Sequence, residues 1–120
     1  MKFKDIKFEK MEHIDGGIQG FVELDNGFEL SIVKHKFSYG GNKGLYEIGV
    51  FIGDGLVSPK GWGDQVKGYL NENEVEQTIA ELAEHDSADA SAGWGRDSLE
   101  EISLQMGAKA ELEKLKKSKD

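Results

Sequence analysis

Apolar and polar residues alternate through most of the first half of the chain, and the period changes in the second half. Ile18, Val22 and Leu24 share one parity, and Asp25-Asn26-Gly27 interrupts the run. Beyond it, Phe28, Leu30 and Ile32 take one parity while Glu29, Ser31, Val33 and His35 take the other. Side chains of a strand point to opposite faces in turn, so two alternating arms around Asn-Gly predict a β-hairpin closed by a two-residue type I′ turn. On this pattern His35 is a surface or half-buried residue. Leu45–Ile52 is apolar at both parities apart from Glu47 and Gly49, which predicts a central strand or one covered by a helix. A short mixed stretch at Phe3–Phe8 and a short edge strand at Leu56-Val57, ended by Ser58-Pro59, complete the strand-forming region.

Helical spacing takes over at Val66, Tyr69 and Leu70. Val75, Ile79, Leu82 and Ala83 then fall at i, i+4, i+7 and i+8, an amphipathic stripe with an acidic back. Asn71 or Asn73 can cap it, because a short side-chain oxygen accepts one of the unpaired N–H groups of a first turn. Residues 86–97 are small, polar and glycine-containing and read as a linker. Ser98-Leu99-Glu100-Glu101 has the form of a capping box, and Leu99, Ile102 and Met106 share a face beyond it. The expected fold is therefore α+β. An antiparallel sheet of three to five strands (residues 2–58) is covered by a helix (64–85) in one domain, 1–85. The linker, 86–97, leads to a C-terminal amphipathic helix, 98–117, with a frayed tail to residue 120. That helix packs on the domain, makes a homodimer, or stays mobile.

Composition narrows the chemistry. The 120 residues favour one domain and contain no cysteine, so disulfides and thiolate metal sites are excluded. No apolar run approaches the ~20 residues that span a bilayer. The N-terminal MKFKDIKFEK lacks the apolar core of a secretion signal, which leads us to expect a cytoplasmic protein without membrane association. The net charge of −8 is uneven, about −1 over residues 1–60 and −7 over 61–120. Such a surface repels the dense negative charge of nucleic acid and attracts a basic partner.

The segment SYGGNKGLY, residues 38–46, invites comparison with a phosphate-binding loop. A P-loop ends in Gly-Lys-Ser/Thr and opens a helix, whereas Lys43 precedes its glycine and Leu45-Tyr46-Glu47 opens a strand pattern. The loop is expected to be a glycine-permitted connection, with Tyr39, Lys43 and Tyr46 as contact residues. A ligand-sensing or enzymatic use of it with Glu47 and Asp54 is the rival. His13, His35 and His85 have no zinc spacing, and no metal ligand, cofactor or catalytic residue is assigned. Trp62 and Trp94 each stand between glycines. Trp62 suits the corner between sheet and helix, and Trp94 an anchor for the following helix or a partner. Glu74, Glu81 and Glu84 lie on the acidic helix and offer either an ordinary solvated face or a docking patch.

NGFELSIVKHKFSYGGNKGLYEIGV, followed by GYLNENEVEQTIAEL, resembles a group of small phage-encoded proteins of uncharacterised function. The matching positions run from Asn26 and Gly27 through Ser38, Tyr39, Gly40, Gly41, Gly44, Leu45, Tyr46, Glu47 and Val50 to Gly68, Tyr69 and Leu70. The resemblance covers residues 1–85 and carries no functional residues. It implies a phage accessory protein acting in the host cytoplasm. The expected function is non-enzymatic: an acidic protein that binds a host protein, a basic or nucleic-acid-binding one among the candidates, and modulates or inhibits it. Mimicry of nucleic acid to inhibit a defence nuclease is the first alternative.

Overall fold

The computed structural model describes residues 1–12, 14–53 and 55–92. His13, Asp54, Trp94, the end of the linker and the C-terminal helix expected over 98–117 lie outside the described residues. The fold is α+β: one helix, α1 (Glu72–Ala83), packs on an antiparallel sheet. Five strands come from the region where alternation predicts them: β1 (Phe8–Lys10), β2 (Ile18–Glu23), β3 (Glu29–Lys34), β4 (Tyr46–Ile52) and β5 (Gly55–Ser58). Two more, β6 (Val66–Leu70) and β7 (Ser91–Ala92), bring the total to seven among the described residues. The strand order is β1-β2-β3-β4-β5-β7, and β6 also pairs with β4.

The expected β2–β3 hairpin forms, with Val22 opposite Leu30 and Gly20 opposite Ile32, which sets the two apolar parities on one face. Its turn differs from the expected one. Leu24 N–H donates to Phe28 C=O and Gly27 N–H to Leu24 C=O, and of Asn26 and Gly27 only the glycine has positive φ. This is a three-residue connection with glycine in the left-handed position, not a type I′ turn. Asn26 is thereby left free to aim its side chain sideways. Its Nδ2 donates to the carbonyls of Leu82 (2.8 Å) and His85 (2.9 Å), at the end of α1, while its Oδ1 accepts from Phe28 N–H. The hairpin turn thus clasps the helix C-terminus, adding a side-chain donor to the carbonyl of His85 and to that of Leu82, which also accepts from His85 N–H.

At the other end, Asn71 is the N-cap. Its side chain accepts from Glu74 N–H, and Glu74 Oε1 accepts from Asn71 N–H, a reciprocal capping box. The stripe of α1 buries Val75, Ile79 and Leu82 against Phe28, Leu30, Ile32, Ile48 and Val50. Glu76 Oε1 accepts from Phe3 N–H at 2.6 Å and ties the N-terminal turn to the helix. On the opposite face of the sheet, Met11 and Ile14 join Val33, Phe51, Leu56 and Val66 in a second cluster. Core on both faces explains why β4 is buried from Tyr46 through Phe51, as the two-sided apolar pattern of this segment predicts.

Three expectations are corrected. Val66–Leu70 is a strand, not the start of the covering helix, which begins at Glu72. The pairing of β6 with β4 slips between Tyr46 and Ile48, so Val66 enters one core cluster and Leu70 the other. A helix-like spacing results from a strand that changes phase. His35 is 3% exposed, because the Met11–Gly17 segment closes over the end of β3. Residues 87–92, read as linker, form a 3-10 turn at Ser87–Asp89 and strand β7, which extends the sheet beyond β5.

Replacing Asn26 tests the link between turn and helix. Asn26→Ala removes two hydrogen bonds to helix carbonyls and is expected to cost about 1–3 kcal/mol in urea unfolding. Asn26→Asp keeps the acceptor, loses both donors, and sets a negative charge against the negative end of the helix. It should destabilise at least as much as alanine.

Candidate functional site

The glycine loop connects β3 to β4, and its backbone follows from its glycines. Gly40 and Gly44 both have positive φ (89° and 75°), and Gly41–Lys43 form a single 3-10 turn between them. Strand β4 follows the loop where a phosphate-binding loop would open a helix, as the strand pattern after it predicts. Ser38 Oγ accepts from His35 N–H and donates to His35 C=O, which folds the chain back immediately before Tyr39.

Tyr39 is then held from both sides of its peptide unit. Its N–H donates to the Glu47 carboxylate, and its carbonyl accepts from Tyr69 N–H at 3.1 Å. The two tyrosine rings stack, with centroids 6.3 Å apart and planes at 30°. Both rings face solvent, Tyr39 at 55% and Tyr69 at 56% exposure, with Phe37 at 62% nearby in the loop. Close approach requires two glycines. A Cβ on Gly68 would collide with Tyr39 Cβ, and one on Gly40 would lie 2.9 Å from Leu45 Cβ and 3.0 Å from Tyr69 Cα. Tyr69 itself has φ +58°, the one positive value at a non-glycine residue among the described residues. That conformation costs a residue with a side chain about 1–2 kcal/mol. The fold therefore accepts backbone strain to place two aromatic rings side by side in water.

The remaining candidates fall into different environments. Lys43 is exposed on the 3-10 turn. Tyr46 is buried in the main core in ring contact with Phe3 (5.1 Å) and Phe8 (5.5 Å), so it is not part of the exposed surface of the loop. Its parity on β4, shared with Ile48 and Val50, directs it under the helix. Trp62 is half-buried against the same core with Lys67 Nζ 5.9 Å from its ring centre, at the corner where Trp62 N–H closes a turn on Pro59. Glu74 serves in the capping box. Glu81 and Glu84 are exposed on α1, and Glu84 joins Lys60, His85, Asp86 and Asp89 around a groove of about 290 Å³. Tyr69 is the residue that sequence reasoning missed, because it was assigned to a helix. The signal for it is Gly68, a poor helix former, beside Val66 and Tyr69, which favour strands.

Glu47 is the one strongly perturbed acid among the described residues. It is 1% exposed on central strand β4, and its Oε1 has no hydrogen-bond partner. Burial pushes its pKa from 4.5 up to about 7, the Tyr39 N–H pulls it partly back, and the charge of Asp64 raises it further. Among the described residues no group of three or more His, Cys, Asp or Glu side chains could hold a metal ion, and no helix is long and apolar enough to cross a membrane. No protein-family model matches the chain, and no curated protein or solved structure matches it either.

Glu47 makes stability depend on pH. A carboxyl whose folded pKa lies above its unfolded value binds its proton more tightly in the folded state. Its contribution is fully present below about pH 4.5 and is lost as pH rises through 7. Glu47→Gln keeps an acceptor for Tyr39 N–H and carries no charge. Relative to wild type it should gain stability from pH 5 to 8, approaching about 3 kcal/mol, when unfolding is measured across that range.

Proposed function

We propose that the chain is a non-enzymatic binding protein that engages another protein and modulates or inhibits it, using the paired rings of Tyr39 and Tyr69 as its contact. One observation carries this reading: an exposed aromatic pair is held by a strained backbone at Tyr69 and by two glycines that make room for it. Strain of this kind persists where the surrounding structure enforces it, and such sites concentrate at ligand contacts. Tyrosine supplies rigid, amphipathic contact area at low cost in side-chain entropy. The resemblance of residues 1–85 to small phage-encoded proteins supports a partner in the host cytoplasm. Against the enzymatic rival, Glu47 is enclosed in the sheet at 1% exposure, away from solvent and any substrate.

A second reading rests on the exposed carboxylates Glu81 and Glu84 with Asp86 and Asp89 beyond them. Here α1 imitates the phosphates of a nucleic acid toward a basic protein. The two readings separate by mutation. Tagged protein should capture a partner from host lysate, identified by mass spectrometry. The double variant Tyr39→Ala, Tyr69→Gly should lose it, while Glu81→Lys with Glu84→Lys should retain it. The opposite pattern, with capture falling steeply as salt rises, would transfer the function to the helix. Recovery of a small molecule and no protein would remove both.

A further inference from the structure

The segment that leads into the tyrosine pair carries the opposite charge to the chain as a whole. From Ser31 through Tyr46 there are three lysines, Lys34, Lys36 and Lys43, and no carboxylate. Lys67 comes from β6, two residues before Tyr69. Three of these lysines lie over aromatic rings: Lys34 over Tyr46 (4.9 Å), Lys36 over Phe37 (5.1 Å) and Lys67 over Trp62 (5.9 Å). An ammonium over a ring face keeps its charge and gains order; of these rings Phe37 is exposed, Trp62 half-buried and Tyr46 buried. Acids return at Glu47, which is buried, and at Asp54 and Asp64, and they dominate from Glu72, next to the N-cap of α1.

We infer that the Tyr39–Tyr69 surface, with Lys36, Lys43 and Lys67 around it, docks a short acidic peptide segment of the partner protein that carries an aromatic side chain. The inference rests on the binding reading above and specifies its chemistry. The aromatic residue lies against the tyrosine rings, and neighbouring carboxylates pair with the lysines. Size separates this occupant from a nucleic acid. A single strand occupies about 4–16 nucleotides on a typical stacking surface. Its further phosphates would run along the acids of α1, which begin three residues after Tyr69. Two or three carboxylates on a peptide stay within the basic region.

Random copolymers of defined composition test this without knowledge of the partner. Fluorescein-labelled glutamate–tyrosine copolymer, polyglutamate, lysine–tyrosine copolymer and oligothymidylate are titrated with the full chain, and binding is read by fluorescence polarisation. The glutamate–tyrosine copolymer should bind most tightly. Tyr69→Gly, which suits the positive φ while deleting the ring, should weaken it by about tenfold, the equivalent of about 1.4 kcal/mol. Lys36→Gln with Lys43→Gln changes exposed side chains alone and should weaken it by a similar factor. Equal binding of polyglutamate would overturn the aromatic part of the inference. Tighter binding of the lysine–tyrosine copolymer, or of oligothymidylate, would overturn the acidic peptide as occupant, as would copolymer binding that none of these variants alters. If lysate capture depends on both tyrosines while the glutamate–tyrosine copolymer fails to bind, the binding function stands and this inference falls.

Discussion

Strand β4 has neither a free face nor a free edge, and the rest of the molecule is arranged around that constraint. Core clusters press on both faces, so its backbone groups must be paired along both sides. One side is served by β3 over five paired positions. The other is divided end to end: β5 pairs with the C-terminal part and β6 with the N-terminal part. Both β5 and β6 run antiparallel to β4, so they follow one direction along this edge, and residues 59–65, with Pro59, Gly61 and Gly63, loop out between them. The same division forces the slip in β6, because its last residues must turn aside to enter α1. The strained backbone of Tyr69 lies at this slip.

The surface tyrosines and the buried glutamate are parts of one arrangement. Glu47 fixes the amide of Tyr39, Tyr39 accepts the amide of Tyr69, and the glycines at 40 and 68 let the two segments touch. A buried carboxyl with an unsatisfied oxygen is a destabilising element. Here it holds in place a loop otherwise made flexible by its glycines. Stability is traded for the position of a ring, at a point where the chain also reverses its prevailing charge.

Much of this fold was legible in the residues. Alternation around Asn26-Gly27 marks the hairpin, and two-sided apolarity marks β4 as central. The stripe Val75, Ile79, Leu82 with Asn71 before it defines α1 and its cap. What escaped has a common cause. Val66, Tyr69 and Leu70 imitate a helix because a change of strand phase puts Val66 and Leu70 on opposite faces, and spacing alone does not reveal which partner strand enforces it. His35 was placed by parity on the right face, but parity does not say that the 11–17 segment covers that face. The candidate site was half legible: Tyr39 and Lys43 stand in a glycine loop, whereas Tyr69 reaches them through a pairing remote in sequence. Tyr46 was misjudged because a loop motif and a strand parity overlap at that residue, and parity prevails.

The side chain of Asn26 also bears on the order in which the molecule assembles. The hairpin closes a loop of three residues, but the bonds from Asn26 to the end of α1 join positions 56 and 59 residues apart. Closing so long a loop costs more chain entropy than forming the turn, so the turn precedes the clasp. When the helix arrives, it finds the amide already oriented by its bond to Phe28 N–H. A residue that marks a turn is also the latch that ties the hairpin to a helix end 56 residues further along the chain.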